Sequence, residues 1–165
     1  MLYARDIALL ATPIGTIRIE GDDAVVHRIV IDPGLATPQS ATAAAVGRAA
    51  EQIVAWFDGT LAHFDLTLAM PGTPRGAELR DGLVQVGYGH TVTYGVLAQR
   101  LNSSARAIGQ LCARNPFPIV VPCHRVLASG LRDNYSAGEG LITKRWLLDH
   151  EARHGGRHDG HDRHS

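Results

Sequence analysis

Apolar residues between positions 7 and 32 follow the alternating pattern of β-strands. Turn signals interrupt this pattern at 13–15, where Pro-Ile-Gly stands, and at 21–23, where Gly-Asp-Asp stands. Alternating isoleucines precede the second turn, and a β-branched run at 25–31 follows it. We therefore predict strands over 7–32, with a β-hairpin around the second turn.

The next segment changes to a helical period. Between 41 and 57 the apolar side chains recur on one face, which predicts an amphipathic helix that ends near Gly59. These side chains are Val46, Ala50, Ile53, Val54 and Phe57. The run 64–68 alternates again and predicts a short strand, and the prolines at 71–74 predict a domain boundary.

Helical periods dominate the second half of the chain. They predict helices over 77–86, 93–101, 105–114 and 143–154, with Thr93 as a candidate N-cap. The helices 93–101 and 105–114 are joined by a short polar turn, which is typical of a helix-turn-helix. That motif places its second helix in a DNA groove. An ordinary helix pair is the alternative that the pattern leaves open.

The patterns divide the chain into three parts. We predict an α/β domain over 1–70 and a mostly α domain over 71–154. Residues 155–165 contain no apolar side chain, which predicts a disordered tail. Its histidines could bind a metal loosely, but a solvated tail is the favoured interpretation. No ligand spacing of a closed zinc site occurs, so we predict no metal.

Charge is distributed unevenly, although the 165 residues have a formal net charge of +0. Residues 1–75 carry 5 Arg and 8 acidic residues, which is net −3. Residues 76–165 carry 10 Arg, 1 Lys and 8 acidic residues, which is net +3. Any nucleic-acid contact is therefore expected in the second part, with few phosphates bound and a modest salt dependence.

Hydrophobic residues make up 45% of the chain, enough for a buried core. No apolar run is long enough to span a membrane, and the first residues lack the pattern of a secretory signal. We therefore expect a cytoplasmic protein that does not bind membranes. In that compartment the two cysteines, Cys112 and Cys123, are expected to be free thiols.

The motif Pro-Cys-His-Arg-Val at 122–126 is the sharpest chemical feature. The apolar run 119–121 predicts an extended segment that presents Cys123 next to His124. A thiol near cationic or hydrogen-bonding groups ionises more readily, as a nucleophile must. Taken alone, however, the Cys–His pair favours a buried cysteine that packs as a small apolar side chain.

Glycines recur in the loop 134–140, shortly after Cys123. The loop could form a pocket wall whose backbone amides approach a ligand. A plain surface loop would have the same composition. No phosphate-binding glycine motif occurs in the chain.

Together these features resemble the O6-alkylguanine-DNA alkyltransferase family, the methylated-DNA–protein-cysteine methyltransferases. The similarity runs from about residue 8 to 152, and the cysteine motif, with Asn-Pro before it and Trp-Leu-Leu after it, is highly specific. The matching stretches are TPIG at 12–15, FDG at 57–59, FDL at 64–66, TYG at 93–95, LA at 97–98, ARAIG at 105–109, NP at 115–116, IVVPCHRV at 119–126, YS at 135–136, KRWLL at 144–148 and HE at 150–151.

The resemblance implies an N-terminal domain similar to ribonuclease H and a C-terminal domain that holds a helix-turn-helix and the active site. The implied partner is double-stranded DNA containing O6-alkylguanine, bound through its minor groove by a monomer. Arg106, next to Ala105, would fill the gap left by the extruded nucleotide. Tyr94 would help to rotate that nucleotide out, because a stacked base hides its target atom.

The resemblance also implies the chemistry. Cys123 would be the nucleophile, linked through a water to His124 and then to Glu151, with the carboxylate orienting the imidazole. The alkyl group would stay on Cys123, so each molecule would act once. No cofactor is implied.

The remaining implied roles concern the flipped base. Tyr94 would donate a hydrogen bond to it, and Tyr135 with the backbone of Ser136 and Val126 would line it. Asn115 would brace the turn before the cysteine.

Several positions depart from the family pattern. The pairs Arg75-Gly76 and Leu79-Arg80 stand where the family usually has Phe-Gln and Val-Trp. The turn at 99–105 is shorter than usual and the loop 135–141 is longer. Cys112 falls where the family places a base-packing side chain, so we interpret it as a pocket wall and not as a nucleophile.

Three functions are compatible with these residues. The first is a single-turnover alkyltransferase. The second is a related binding module that flips alkylated bases and recruits repair without accepting the group. Such modules usually have Trp in place of the nucleophile, so Cys123 argues against this function. The third is a Cys–His hydrolase, which would turn over repeatedly.

Overall fold

The computed structural model describes residues 5–128 and 133–155. They belong to two compact units, the first comprising 1–70 with 116–118 and the second 71–115 with 119–165. In the described residues, the first unit contains one helix and a three-stranded β-sheet, and the second contains several helices and a two-stranded sheet, so the chain is a mixed α/β protein. Except for Gly155, the tail for which disorder is predicted lies outside the described residues.

The first unit is built on a three-stranded antiparallel sheet in the order β1–β2–β3. β1 spans Asp6–Thr12, β2 spans Gly15–Gly21 and β3 spans Val26–Asp32. The predicted hairpin is confirmed as β2 and β3. Gly15 has φ 112°, and a Cβ there would lie 2.2 Å from the carbonyl oxygen of Asp32, so the turn before β2 requires glycine.

Helix α1 spans Ala44–Phe57 and packs on this sheet. Its buried residues are Val46, Ala49, Ile53 and Trp56. The predicted apolar face is therefore confirmed at Val46 and Ile53 but wrong at Val54, which is 46% exposed. The helix begins at Ala44 and not at 41, because the preceding backbone is held by two carboxylates. Asp6 accepts from the N–H of Ala43 at 2.9 Å, and Asp23 accepts from the N–H of Ala44 at 2.9 Å. These carboxylates replace the missing side-chain N-cap.

The strand predicted at 64–68 is wrong. Leu68 forms only an isolated parallel bridge to Val26. Gln52 of α1 instead satisfies the backbone of Asp65, donating from Nε2 to the carbonyl oxygen at 3.0 Å and accepting from the N–H at 2.9 Å. Because a helix side chain supplies these partners, the segment needs no full strand ladder.

Helices dominate the second unit. α2 spans Pro74–Val84, α3 spans Tyr94–Arg100, α4 spans Ala105–Ala113 and α5 spans Leu141–His154. The four predicted helices are confirmed with small shifts at their ends, which N-capping side chains set at α2, α3 and α4. The capping residues are Thr73, Thr93 and Ser104. Among the described residues, no helix is long and apolar enough to cross a membrane.

The backbone before Cys123 differs from the prediction. Residues 119–121 form a turn, in which the buried Ile119 has φ 74°, and not an extended segment. The cysteine therefore does not follow a strand but begins a 3₁₀ turn, Cys123–Arg125. Two short strands flank the site, β4 at Val92–Thr93 and β5 at Val126–Leu127, and they pair in parallel.

Candidate active site

A cavity of about 330 Å³ opens in the second unit beside Cys123. Helices α3 and α4, the 3₁₀ turn and the loop after β5 all contribute to its walls. The lining residues are Tyr94, Gly109, Cys112, Ala113, Cys123, Asn134, Tyr135 and Ser136. The cavity therefore brings together five residues that the sequence singled out, namely Tyr94, Cys112, Cys123, Tyr135 and Ser136.

The turn that carries Cys123 is fixed by backbone and side-chain hydrogen bonds. The N–H of Cys123 donates to the carbonyl oxygen of Val121 at 2.8 Å, and the Nδ2 of Asn115 donates to the same oxygen at 2.9 Å. The N–H of Arg125 donates to the carbonyl oxygen of Pro122 at 3.0 Å. Asn115 thus braces the turn without lining the cavity.

The Cys123 thiol is buried against a second thiol. A hydrogen bond with Cys112 and burial both raise the pKa of Cys123 well above its usual value, against smaller opposing effects of Asn115 and Lys144. The same hydrogen bond lowers the pKa of Cys112. Because the raised pKa belongs to Cys123, this residue keeps its proton at neutral pH. A base must therefore remove the proton before the sulfur can attack.

His124 is the candidate for that base. Its imidazole is fully buried, and Nε2 lies 2.8 Å from Oε2 of Glu151. Burial lowers the pKa of His124, although the hydrogen bond and charge of Glu151 oppose this effect. A neutral ring whose Nε2–H donates to a carboxylate carries its lone pair on Nδ1, where it can accept a proton.

Arg125 completes this buried network, although the sequence interpretation gave it no role. Its Nε donates to Oε1 of Glu151 at 3.0 Å and its Nη2 donates to Oε2 at 2.7 Å. Its Nη1 donates to the carbonyl oxygen of Val86 at 2.6 Å, and its guanidinium lies 5.7 Å from the ring centroid of Tyr88. Burial would raise the pKa of Glu151, but the hydrogen bonds and charges of His124 and Arg125 lower it to about 2.

Lys144 is a second buried cation without a role in the sequence interpretation. Its Nζ donates to the carbonyl oxygens of Val126 at 2.7 Å and Asn134 at 3.1 Å, and to Oδ1 of Asp133 at 2.6 Å. Lys144 therefore connects β5 to the loop that forms a cavity wall. Its charge is one of the effects that lower the pKa of Cys112, and at Cys123 it partly opposes the increase in pKa. The available signal was its heptad spacing from Glu151 along α5, a helical period of charged residues.

Two tyrosines face the cavity. Tyr94, the first residue of α3, hydrogen-bonds to the Cys112 thiol. The hydroxyl of Tyr135 is buried and has no hydrogen-bond partner among the residues that the structure describes. Burial raises the pKa values of both tyrosines, so both remain protonated at neutral pH. A buried hydroxyl without a protein partner is positioned to bond to a ligand.

Ser136 is a cavity-wall residue whose Oγ lies 3.5 Å from the carbonyl oxygen of Cys112. Three further predicted residues lie outside the cavity lining. Val126 is buried in β5 and presents its carbonyl oxygen to Lys144. Ala105 and Arg106 are exposed in the first turn of α4, which contains no acidic residue. These two residues are separate from the reactive thiol and available to a macromolecular partner.

Comparison with known proteins gives a consistent set of relatives. The family model described as "6-O-methylguanine DNA methyltransferase, DNA binding domain" matches residues 77–153. A methylated-DNA–protein-cysteine methyltransferase of Mycolicibacterium paratuberculosis is 35% identical over 150 residues, which is 87% of this chain and 90% of that protein.

Solved structures agree with the sequence comparison. The Mycobacterium tuberculosis O6-methylguanine methyltransferase has a TM-score of 0.75 at 29% identity, covering 92% of this chain and 94% of that one. The structure of the Mycobacterium tuberculosis OGT in complex with DNA has a TM-score of 0.72 at 29% identity, covering 88% and 92%. The chain therefore belongs to the methylated-DNA–protein-cysteine methyltransferase family.

Proposed function

We propose that this protein repairs DNA by transferring the alkyl group of an O6-alkylguanine to Cys123, once per molecule. The observation that carries the proposal is the open cavity at Cys123, together with the next residue, His124, which is buried and hydrogen-bonded to Glu151 of α5. The names of the relatives, which specify transfer from methylated DNA to a protein cysteine, support the same reaction.

The chemistry starts with removal of a proton. The Cys123 thiol passes its proton through a water to Nδ1 of His124, and the resulting imidazolium is stabilised by Glu151. The thiolate then attacks the alkyl carbon, a carbon–sulfur bond forms and the carbon–oxygen bond breaks. The electron pair moves onto the guanine, which takes up a proton and leaves. The thioether on Cys123 is stable, so turnover ends there.

The cavity walls provide recognition of the base. The buried hydroxyl of Tyr135 donates a hydrogen bond to an acceptor on the guanine edge. The guanine thus supplies the hydrogen-bond partner that this hydroxyl lacks among the described residues. Tyr94, the first residue of α3, lines the same cavity and donates to the same base. A flipped nucleotide is required because the reacting oxygen is inaccessible inside the duplex.

The helices α3 and α4 form the helix-turn-helix in this proposal. Asn102 has φ 52° in the turn between them, and Ser104 caps the second helix, which gives α4 a defined start. α4 enters the minor groove, where Arg106 occupies the space of the extruded nucleotide. The first unit is the ribonuclease H-like domain, residues 71–154 form the DNA-binding and catalytic domain, and the protein acts as a monomer.

The transfer step is tested by mass spectrometry. Protein is incubated with a duplex oligonucleotide that contains O6-methylguanine, and intact and tryptic masses are measured. We expect one added methyl group, located on the peptide 115–125. Cys123→Ala abolishes this gain, whereas the matched variant Cys112→Ala still gains the methyl group on 115–125. Binding without a mass change would support the recruiting module, and repeated turnover would support the hydrolase.

The role of Arg106 is tested with two substrates. Arg106→Ala is expected to slow repair of the duplex more than reaction with the free alkylated base, because only the duplex leaves a gap to fill. Arg100→Ala removes an exposed arginine from the last turn of α3 and serves as the control. Equal losses on both substrates would argue against insertion of Arg106 into the duplex.

A further inference from the structure

Cys112 is a nucleophilic group that the proposed reaction does not use. It lies in the last turn of α4, lines the same cavity as Cys123 and shares a hydrogen bond with the Cys123 thiol. Both cysteines are reduced in the structure. Oxidation can convert two thiols in direct contact into a disulfide, and in the proposed function one of these thiols must stay reactive.

We infer that Cys112 and Cys123 form a reversible disulfide when the protein meets a peroxide, and that this bond protects the nucleophile while it stops alkyl transfer. The loss of transfer rests on the proposed function, whereas the formation of the disulfide does not. The site is thus an oxidative modification site as well as an alkyl acceptor.

The geometry favours this bond. The thiols must approach from hydrogen-bonding distance to a sulfur–sulfur length of roughly 2 Å. Cys112 lies one residue before the end of α4, and Cys123 is the first residue of the 3₁₀ turn, so each lies at an end of its element, where a small shift is least costly. Both cysteines line the open cavity, through which a small oxidant can approach the pair.

The steps balance with a hydroperoxide as oxidant. The thiolate of one cysteine attacks a peroxide oxygen, the oxygen–oxygen bond breaks and hydroxide leaves, which gives a sulfenic acid. The second thiol attacks this sulfur, the sulfur–sulfur bond forms, and the sulfenic oxygen leaves as water. The cysteines lose two electrons and the peroxide gains them. Without a second thiol, a sulfenic acid is open to further, irreversible oxidation.

Ionisation of the pair supports the first step. The hydrogen bond from Cys123, together with the charge of Lys144, lowers the pKa of Cys112 against the effect of burial. Since the thiolate is the form that attacks peroxides, Cys112 is the favoured site of the first oxidation. Cys123 then acts as the resolving thiol, and its alkyl-accepting sulfur is converted directly into a reducible bond.

The test uses the reduced full-length protein and hydrogen peroxide. The two cysteines fall in different tryptic peptides, 107–114 and 115–125, so a cross-link between them is visible as one joined peptide under non-reducing conditions. We expect the joined peptide to form, methyl transfer to fall in proportion to the joined fraction, and dithiothreitol to reverse both changes.

The variant Cys112→Ser separates protection from simple oxidation. In this variant, peptide 115–125 is expected to gain two or three oxygen atoms at Cys123 after peroxide treatment. Dithiothreitol is then expected not to restore the methyl-transfer activity that the variant had before the treatment. Cys112→Ala provides a second variant in case serine perturbs folding. A further control is protein already methylated on Cys123, which cannot form the cross-link.

Several results would overturn the inference. One is the absence of the joined peptide at peroxide levels that oxidise Cys123 in the variants. Another is the same dithiothreitol recovery in Cys112→Ser as in the unchanged protein. A third is a cross-link found only between molecules on a non-reducing gel. Because the cross-link is read by mass, the test remains decisive even for protein that transfers no methyl group.

Discussion

The two units have interiors of different chemistry. Among the described residues of the first unit, the buried side chains are apolar except for Thr16 and Asp22. Among its described residues, the second unit buries five side chains of the His, Arg, Lys and Glu types, and these are His124, Arg125, Lys144, His150 and Glu151. Removing charges from water is costly unless each finds partners, so the second unit depends on complete pairing where the first depends on packing.

This difference agrees with the proposed function. In that proposal the Cys123 thiol loses a proton, and burial strengthens the interactions of a base and a counter-charge because it keeps water from screening them. The first unit has no such requirement, and its core is filled by residues such as Ile17, Ile53 and Trp56. The two interiors are therefore expected to respond differently to the loss of charge.

The largest expected effect comes from Glu151→Gln. The change leaves Arg125 as a buried guanidinium without its carboxylate and is expected to cost about 3–5 kcal/mol of the free energy of unfolding. Methyl transfer is also expected to fall, because His124 loses the group that orients it. Urea denaturation measures the free energy of unfolding, and the mass assay measures methyl transfer.

Glu51→Gln is the matched control for this change. Glu51 is exposed on α1 of the first unit, and its substitution is expected to alter the free energy of unfolding by no more than about 0.5 kcal/mol. If the two variants were equally stable, the buried network would not stabilise the second unit.

Acid is expected to destabilise the second unit before the first. Because the pKa of Glu151 is about 2 in the folded protein and 4.5 when unperturbed, its stabilisation of about 3 kcal/mol is present above pH 4.5 and is lost as the pH falls toward 2. His124 adds to this sensitivity. Its folded pKa is below 6.5, so the unfolded state takes up a proton first as the pH falls below 6.5.

Asp22 in the first unit also has a lowered pKa, chiefly because it hydrogen-bonds to His27, but its contribution to stability is lost only as the pH falls below its unperturbed pKa of 3.8.

The two tryptophans report on the two units separately, since Trp56 lies in the first unit and Trp146 in the second. Fluorescence of the variants Trp146→Phe and Trp56→Phe is followed during acid titration. Coincident transitions would show that the two interiors do not differ in acid sensitivity.

An intermediate effect is expected for Lys144→Met. Methionine keeps much of the volume but removes the hydrogen bonds to Val126 and Asp133, which is expected to cost about 2 kcal/mol of the free energy of unfolding. The positive charge near the thiols is lost as well, so the pH profile of Cys123 reactivity is expected to move to higher pH.

The control for Lys144→Met is Arg145→Met, because Arg145 is the exposed neighbour on α5. Iodoacetamide labelling of peptide 115–125 at a series of pH values measures the profile. An unchanged profile in Lys144→Met would mean that the lysine only supports the loop and does not influence the thiol.

The smallest expected effect concerns the helix caps. Ser104→Ala removes the side chain that accepts from the N–H of Ala107 at 3.0 Å and is expected to cost about 1 kcal/mol. Asp6→Ala removes the distant carboxylate that holds the start of α1 in the first unit. Urea denaturation measures both. Duplex binding is expected to weaken only in Ser104→Ala, and equal binding losses in both variants would argue against α4 as the DNA helix.

Several features could be read from the sequence because their causes are local. The hairpin was predictable from a turn signal between two alternating runs, and α3 from the cap at Thr93. α1 was predictable from its apolar period, although Asp6, far earlier in the chain, decided where it starts. The buried face of α5 was harder to predict, because the helix buries charged residues, and a hydrophobic period does not detect these.

The candidate site divides in the same way. The motif around Cys123 identified the thiol, the imidazole and, through the resemblance, the partner carboxylate. The backbone that presents them was mispredicted, because an apolar run such as 119–121 fits a strand and a buried turn equally well. The left-handed conformation of Ile119 is imposed by its surroundings and not by its own preference, which is against it.

By itself, the sequence determined the order of the elements, since these follow from residues a few positions apart, and its resemblance to a family indicated Cys123 as the alkyl acceptor. Only the tertiary structure decided how the buried charges are satisfied. Arg125 finds its carbonyl partner at Val86 and Lys144 finds one at Val126, pairings that no local pattern contains. It also decided that Cys112 touches Cys123, because contact between two side chains depends on how a helix and a turn pack, and not on their spacing along the chain.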